Sequence, residues 1–292
     1  MHQRTLGPDG LAVGAIGLGC MPLSLRGRPS EANAVRVIHA ALDAGVTLLD
    51  TADVYCIDDG DIGHNERHIA RALAEWSGDA SSIVVATKGG LRRPRGEWVR
   101  DARAERLRSA CEASLRALGV ERIALYQLHA PDPKVPFAES VGALARLREE
   151  GKIERVGLSN VSVAELEQAL AIVPVVSVQN RFSVYARQPE RDGVLEACTG
   201  RGIALLAYSP LGGKRRSRML ALPVGVGRTL KRIGERVGAS VYQVALAWLL
   251  AKSPVVIPIP GASTVEHAAD SVGAWRVELT AEDVAEVDAA AG

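Results

Sequence analysis

Short apolar or β-branched runs alternate along the chain with longer segments of helical period. The runs occupy residues 15–20, 47–52, 82–88 and 123–130 in the first half, and 155–160, 175–180, 203–209 and 255–261 in the second. Runs of this kind are typical of β-strands, and a period of 3.6 residues is typical of amphipathic helices. The alternation therefore predicts eight parallel βα units.

The segments between the runs carry signals for the ends of helices as well. Within residues 30–45, Ser30 is placed to cap a helix and Gly45 to end it. The apolar residues of this segment fall on one helical face; they are Ala34, Val37, Ile38, Ala41 and Leu42. Residues 101–119, 140–151 and 239–252 are predicted as helices on the same grounds.

The predicted fold is an α/β protein, a (β/α)8 TIM barrel with an N-terminal β-hairpin. The strands are apolar almost throughout, so both faces must be buried, and eight units favour a closed barrel. A Pro-Asp-Gly turn at residues 8–10 lies between two short extended pieces and predicts a hairpin across one barrel end. No linker divides residues 1–292, so we expect one domain. Residues 211–228 lack periodicity and are interpreted as a long βα loop that serves a ligand.

Composition and charge exclude several classes of protein. The chain is 47% hydrophobic and 24% charged, which is typical of a soluble globular protein rather than a disordered one. Its 35 basic and 34 acidic residues leave a net charge of +1, so it has no overall field to attract nucleic acid. A small neutral or anionic ligand fits this balance better.

The cysteines and the N-terminus bear on location and on metal binding. No two of the four cysteines form a CxxC pair, which argues against a zinc site and against a disulfide framework; they are Cys20, Cys56, Cys111 and Cys198. The acidic cluster from Asp58 to Glu66 lacks the spacing of a calcium loop, so no metal is expected. The first residues carry no secretion signal, and no apolar run reaches membrane-spanning length. We expect a cytoplasmic protein without a membrane partner.

Polar residues stand where the predicted strands end. The second, third and fourth strands end at Asp50, Lys88 and His129, the fifth at Ser159 and Asn160, and the sixth at Gln179 and Asn180. In a parallel barrel these carboxyl ends share one rim, which is where such barrels hold their functional groups. Each residue alone could merely cap a strand, but the set together indicates a site.

Four of the polar residues in this region form a coherent acid catalyst: Asp50, Tyr55, Lys88 and His129. A tyrosine exchanges protons poorly near neutral pH, and a neighbouring ammonium is expected to lower its pKa. Lys88 supplies that ammonium, and Asp50 on the next strand is its expected counter-ion, because an unpaired buried lysine would be costly. His129 would donate to a substrate carbonyl.

These segments resemble the aldo-keto reductase family. Residues 48–55 (LLDTADVY), 86–90 (ATKGG) and 126–133 (YQLHAPDP) are similar to its catalytic motifs, and residues 157–160, 177–180, 207–213 and 257–263 are similar to further family segments in the same order. The resemblance implies an NAD(P)H-dependent oxidoreductase that reduces an aldehyde or ketone to the alcohol. It makes Tyr55 the general acid, with Asp50 and Lys88 tuning it and His129 orienting the carbonyl.

The resemblance also implies a cofactor site. Ser159, Asn160 and Gln179 would bind the nicotinamide carboxamide, and Tyr208 would stack on its ring. Gly19, Cys20 and Met21, together with Asp50, would border the nicotinamide. Backbone and small side chains would wrap the phosphates and the ribose, at Ser209, Pro210, Leu211, Gly213, Gly261, Ser263, Thr264 and His267.

The nature of the cofactor and the reaction leave alternatives open. NADPH is expected from the family, but the segment at 257–271 lacks the usual Lys or Arg, so NADH is possible unless Lys214, Arg215, Arg216 and Arg218 supply the charge. One alternative is a cofactor-binding regulatory subunit similar to potassium-channel β subunits. Another is a lyase or isomerase with Lys88 as a Schiff-base nucleophile. The substrate, a small aldehyde, a sugar-like aldehyde or pyridoxal, and the oligomeric state are not specified by the sequence.

Overall fold

The chain folds around one eight-stranded parallel sheet in a computed structural model, which describes the backbone of residues 1–292 and every side chain except that of Lys214. The sheet has the strand order β12-β11-β10-β9-β8-β5-β4-β3. The strands are β1 (Gln3–Thr5), β2 (Ala12–Gly14), β3 (Leu18–Gly19), β4 (Leu48–Asp50), β5 (Val84–Gly89), β6 (Leu91–Arg92), β7 (Val99–Arg100), β8 (Ile123–Leu128), β9 (Ile153–Ser159), β10 (Val175–Arg181), β11 (Ala204–Tyr208) and β12 (Val256–Ile259). Each of the eight predicted strands is confirmed.

The sheet closes into a barrel between its first and last strands. Backbone N–H groups of Gly17 and Gly19 donate to the carbonyl oxygens of Pro258 and Pro260, at 2.9 and 3.0 Å. A parallel bridge joins Gly19 to Gly261. A Cβ on Gly19 would lie 2.8 Å from the Ile259 carbonyl oxygen, so glycine is needed for this close approach. The predicted closed barrel is confirmed.

Helices cover the outside of the barrel. They are α1 (Glu31–Asp43), α2 (His64–Glu75), α3 (Ala104–Leu118), α4 (Phe137–Glu149), α5 (Val163–Leu170), α6 (Gln188–Arg191), α7 (Val194–Arg201), α8 (Gly213–Leu220), α9 (Val226–Val237), α10 (Val241–Lys252), α11 (Val265–Gly273) and α12 (Ala281–Ala291). In α1, Ser30 accepts from the Asn33 N–H and the predicted apolar face is buried, which confirms both expectations. None of the helices described is long and apolar enough to cross a membrane.

The predicted hairpin closes the lower end of the barrel. Strands β1 and β2 pair antiparallel, and Leu6 and Val13 are fully buried against side chains that fill the barrel interior. Arg4 ties the hairpin to the barrel wall, because its guanidinium donates to backbone carbonyl oxygens of Leu250, Ser253 and Val256. The opposite rim, where the parallel strands end, is left for a site.

The prediction of an extended loop at residues 211–228 is wrong in part. Residues Gly213–Leu220 form α8, and α9 begins at Val226. The segment between Gly213 and Leu220 is rich in Lys, Arg, Met and Leu, which are good helix formers. Because it buries little besides Leu220, its sequence carries no apolar period to reveal the helix.

Candidate functional site

The ends of β4 and β5 bring Asp50, Tyr55 and Lys88 together. The Lys88 ammonium donates to both Asp50 carboxylate oxygens at 2.8 Å, to the Thr51 carbonyl oxygen at 2.7 Å and to the Tyr55 hydroxyl oxygen at 3.2 Å. Lys88 is fully buried, and Asp50 nearly so. The predicted pairing of Asp50 with Lys88 is therefore confirmed, and the ammonium directly contacts the phenol.

Two buried amides complete the surroundings of Asp50. Gln179 Nε2 donates to Asp50 Oδ2 at 2.7 Å, and Gln127 Nε2 approaches the same oxygen at 3.4 Å. The sequence analysis did not single out Gln127. The sequence could have indicated it, because a glutamine within an apolar strand is buried and must find a hydrogen-bond partner there. Together the amides and Lys88 fix the orientation of the carboxylate.

The charge balance at Tyr55 differs from the expectation. Burial raises the pKa of Tyr55 to about 12, although Lys88 acts in the opposite direction. The prediction that Lys88 would bring this pKa below its ordinary value is wrong, because burial outweighs the ammonium. Burial also opposes the charge on Lys88, but Asp50 and Tyr55 outweigh it, so the pKa of Lys88 is raised. At neutral pH the group is a protonated phenol beside an ammonium ion.

His129 faces the same phenol from the end of β8. Its ring centroid lies 5.8 Å from that of Tyr55, in an edge-on arrangement. Burial, and then Lys88, hold the pKa of His129 well below its usual range, so the imidazole is neutral and carries a single N–H. Its Nδ1 is buried without a hydrogen-bond partner among the described residues. The imidazole beside the Tyr55 ring therefore has hydrogen-bonding capacity that no described residue uses.

A second set of residues lies at the ends of β9 and β11. Asn160 Nδ2 donates to the His129 carbonyl oxygen and to Ser159 Oγ, both at 3.0 Å, and the Tyr208 hydroxyl donates to Asn160 Oδ1 at 2.8 Å. Asn160 and Ser209 have positive φ angles of 59° and 48°. Residues other than glycine rarely adopt this backbone conformation, and those that do cluster at functional sites. The structure therefore brings Ser159, Asn160, Tyr208 and Ser209 to the same rim as His129.

The rim also has features that suit a phosphate-bearing cofactor. Helix α11 begins beside the barrel seam, and Thr264 caps it by accepting from the His267 N–H. The first N–H groups of a helix attract anions. Gly212 and Gly213 both have positive φ, and a turn joins the Gly212 N–H to the Ser209 carbonyl oxygen at 2.8 Å. Small residues and open backbone at these two places fit the polar parts of a dinucleotide.

The other predicted cofactor residues are spread over the rim. Gly19 and Gly261 form the seam, Cys20 is fully buried, and Met21 is partly exposed. Ser263, His267 and Gly213 are exposed, whereas Pro210 is buried and Leu211 half-buried. In the basic run, Arg216 donates to the Tyr185 carbonyl oxygen at 3.2 Å, Arg215 is exposed, and the Lys214 side chain lies outside the described residues.

The sequence analysis placed no role on Arg93 and Trp98, which border the site. They belong to the loop that joins β6 to β7, and the Arg93 guanidinium carbon lies 3.9 Å from the centre of the Trp98 ring. Trp98 is edge-on to both Tyr55 and His129, with centroids 6.3 Å apart in each case. Only the folded loop reveals this, since neither residue stands at the end of a strand of the eight-stranded barrel.

Behind Lys88 lies a buried carboxyl cluster. Asp53 is paired with Arg106 at 3.3 Å, and Glu66 accepts from Thr87 Oγ1 at 2.6 Å. Burial, and then the nearby Glu66, raise the pKa of Asp53 to about 8; burial also raises that of Glu66. Oxygen atoms of both carboxyl groups are buried without partners among the described residues. At neutral pH Asp53 therefore favours its protonated form.

The acidic loop does not gather into a metal site. Asp61 pairs with Arg28 at 2.5 Å, Asp59 accepts from the Arg93 N–H, and Asp58 caps a short turn. Within the described part of the chain, one other group of possible ligands lies together: Glu31, His64 and His68 have ligand atoms within 4.8 Å of one another. Glu31 is exposed and already paired with Arg71 at 3.1 Å.

All four cysteines are buried and unpaired. Burial is the first cause that raises the pKa of each thiol, to about 12 for Cys56, Cys111 and Cys198. Thiols in this state are poor nucleophiles and poor targets for oxidation. The expectation of packed cysteines is confirmed, and the raised pKa of Cys56 gives it no chemical role beside Tyr55.

Comparison with known proteins gives one consistent family. The sequence profile of the Aldo/keto reductase family matches residues 15–291. An uncharacterized oxidoreductase of Schizosaccharomyces pombe is 35% identical over 283 residues, which cover 95% of this chain and 87% of that one.

Solved structures agree with the sequence relatives. A thermostable aldo-keto reductase crystallised with the inhibitor epalrestat has a TM-score of 0.85 and 32% identity, covering 99% of this chain and 100% of that one. An aldo/keto reductase from Klebsiella pneumoniae, in complex with NADP and acetate, has a TM-score of 0.81 and 25% identity, covering 99% and 95%.

Proposed function

The chain belongs to the aldo/keto reductase family, and we propose that it reduces an aldehyde or ketone to the alcohol with NADPH as hydride donor and Tyr55 as general acid. The observation that carries this proposal is the contact between the buried Lys88 ammonium and the Tyr55 hydroxyl, at 3.2 Å. A buried ammonium that touches a phenol and is itself held by a carboxylate suits a proton donor whose anion must be stabilised.

The proton step follows from the charges at the site. When bound, a reduced nicotinamide would be the source of the hydride that the carbonyl carbon accepts. As the C=O electron pair moves to oxygen, Tyr55 transfers its proton to that oxygen, and Lys88 stabilises the phenolate that forms. Neutral His129 donates a hydrogen bond to the same oxygen and so positions it. General acid catalysis of this kind contributes about 10²- to 10⁴-fold.

The cofactor residues are those of the rim described above. We propose that Ser159, Asn160 and Gln179 hold the carboxamide and that Tyr208 lies against the nicotinamide ring. In the structure Gln179 donates a hydrogen bond to Asp50, and Asn160 accepts one from Tyr208. A bound carboxamide would either replace these hydrogen bonds or form further ones with the same side chains. The remaining predicted residues, from Gly19 to Met21, from Ser209 to Gly213 and from Gly261 to His267, would surround the rest of the dinucleotide.

NADPH remains the proposed cofactor, and a relative with NADP bound supports it. Glu266 stands in the first turn of α11, where a ribose phosphate would approach, and its negative charge works against a phosphate. A comparison of the two cofactors in the same assay therefore belongs to the first experiment. The unpaired cysteines suit a reducing compartment, so we place the reaction in the cytoplasm.

The test is the oxidation of NADPH, and separately of NADH, by wild type and Tyr55→Phe with a panel of aldehydes and ketones. We expect turnover that falls by at least about 10²-fold in Tyr55→Phe. Cofactor binding, followed by quenching of tryptophan fluorescence, should persist. Tyr242→Phe, on α10 and outside the set of proposed site residues, is the matched control and should retain activity.

Two outcomes would overturn the proposal. Cofactor binding without turnover in either protein would favour the regulatory subunit that the sequence left open. Trapping of a carbonyl compound on Lys88 by borohydride would favour a Schiff-base enzyme instead.

A further inference from the structure

Arg93 is a buried cation with almost no polar partners. The residue is 6% exposed. Its Nη2 donates to the Cys56 carbonyl oxygen at 3.2 Å, while Nε and Nη1 are buried without a hydrogen-bond partner among the described residues. Its backbone N–H is fixed by Asp59 Oδ1 at 2.9 Å, but that carboxylate does not reach the guanidinium as an ion pair within the described residues.

Such an arrangement is unfavourable unless something else compensates the charge. Buried polar atoms are almost always hydrogen-bonded, and a buried charge is normally paired. The face of Trp98 offers the guanidinium a cation–π contact, which offsets only part of the cost. Arg93 therefore has the properties of a site that is completed by a ligand.

The position of Arg93 near the proposed acid indicates that the ligand completing its site is part of the substrate. The Trp98 ring is close to all three groups: its centre lies 3.9 Å from the Arg93 guanidinium carbon and 6.3 Å from the ring centres of Tyr55 and His129. Cys56, whose carbonyl oxygen binds Arg93, directly follows Tyr55 in the chain. The two distances from Trp98 place the guanidinium carbon within about 10 Å of the Tyr55 ring centre, a span that a small carbonyl compound with a second polar group can bridge.

We propose that Arg93 recognises a carboxylate on the carbonyl substrate, so that the enzyme's substrates are aldehydes that carry this group at the end distant from the carbonyl. The proposal rests on the reductase function proposed above and gives it a substrate class. A guanidinium is the side chain best suited to bind a carboxylate, because it is always charged and carries several fixed donors.

Trp98 controls access to this site. The indole covers the guanidinium but is itself 47% exposed, and its neighbours Glu97, Val99 and Arg100 are exposed as well. Because this exposed ring packs on the guanidinium, we expect the substrate to displace it and so to reach Nε and Nη1. Once displaced, the indole also forms an apolar wall for the part of the substrate that joins the carbonyl to the carboxylate.

The experiment compares 4-carboxybenzaldehyde with its methyl ester, which lacks the negative charge and adds one methyl group. We expect the wild type to have a kcat/KM for the acid about 10- to 100-fold above that for the ester, as is typical of a charge-assisted hydrogen bond. In Arg93→Gln this ratio should fall to about 1. Arg92→Gln removes the same charge from the exposed residue that precedes Arg93, at the end of β6, and should keep the wild-type ratio.

Three results would overturn the carboxylate site: no preference for the acid in the wild type, a preference that survives in Arg93→Gln, or an equal loss in Arg92→Gln, which would indicate a general field. If the wild type turns over the ester without preferring the acid, the reductase proposal stands and the carboxylate site fails. If it turns over neither, calorimetry with benzoate decides: binding lost in Arg93→Gln supports the site, and equal or absent binding rejects it.

Discussion

At the scale of single residues, burial decides the state of the proposed acid. The pKa of Tyr55 lies at about 12 despite the contact with Lys88, so the phenol keeps its proton throughout the neutral range. An acid of this strength releases its proton only when the carbonyl oxygen has become strongly basic. Lys88 therefore acts on the phenolate that forms during the reaction, rather than by ionising Tyr55 beforehand.

Asp53 makes the stability of the protein depend on pH. Its pKa is about 8 in the folded state, against 3.8 for an ordinary Asp carboxyl, so between these values the folded state binds an additional proton. The contribution of Asp53 to the free energy of unfolding then falls as pH rises from about 4 to 8, by at most about 1.4 kcal/mol per pH unit. Asp53→Asn removes this group, and we expect it to lose less stability than the wild type between pH 5.5 and 7.5.

Urea unfolding at pH 5.5, 6.5 and 7.5 measures this difference. Glu278→Gln, at an exposed carboxylate, serves as the control and should follow the wild type. Parallel curves for wild type and Asp53→Asn would show that Asp53 is ionised in the folded state at these pH values.

At the scale of elements, the strands and what stands at their ends could be predicted from the sequence. A buried parallel strand must be apolar, so a Lys88 or Asp50 at its end is conspicuous. The shared rim of a parallel barrel then brings these ends together without knowledge of any side-chain contact. The same reasoning recovered the hairpin, because its turn residues stand between two short extended pieces.

Residues in connections could not be placed in this way. Arg93 and Trp98 reach the site because their loop folds over the acidic loop that follows Tyr55, and no periodicity encodes that contact. Helix α8 was missed because an exposed helix needs no apolar face. The direction of the Tyr55 pKa was missed because the sequence shows the ammonium but not the extent of burial.

The lower hairpin offers a test of how closely the elements fit. Gly7 and Gly10 both have positive φ, 89° and 83°, but a Cβ on Gly7 would lie 2.5 Å from Val176 Cβ, whereas one on Gly10 would meet no atom within 4 Å. Gly10→Ala should therefore cost about 1 kcal/mol of backbone strain alone. Gly7→Ala adds overpacking and should cost about 1–3 kcal/mol more.

Thermal and urea unfolding of the two variants separate strain from contact. Equal losses would mean that the hairpin moves away from Val176 easily, and that it does not close the barrel end tightly.

At the scale of the whole molecule, the barrel has one weak seam. Strand β3 pairs with β4 through Leu18 and Gly19 only. On its other side a single bridge joins Gly19 to Gly261, which follows β12 in the chain. Strands β9 and β10, in contrast, pair along most of their length with neighbours on both sides. Local opening should therefore begin at the seam, where proposed cofactor residues lie.

Hydrogen exchange can detect this opening. The amides of Gly17 and Gly19 donate across the seam, whereas Leu205 belongs to β11, which is paired with a strand on each side. We expect the two glycine amides to exchange at least about 10-fold faster than the amide of Leu205. Exchange at one common rate would show instead that the barrel opens only as a unit.

The positive φ angles of Asn160 and Ser209 set a limit on how far the protein can be made more heat-resistant. Each non-glycine residue in this conformation costs about 1–3 kcal/mol, so glycine at either position is an obvious choice for an engineer who seeks a higher melting temperature. Both side chains belong to the proposed cofactor site, and Asn160 is hydrogen-bonded to the Tyr208 hydroxyl and to the His129 carbonyl oxygen. Thermostabilised variants obtained by relaxing these positions should be more durable but poorer catalysts.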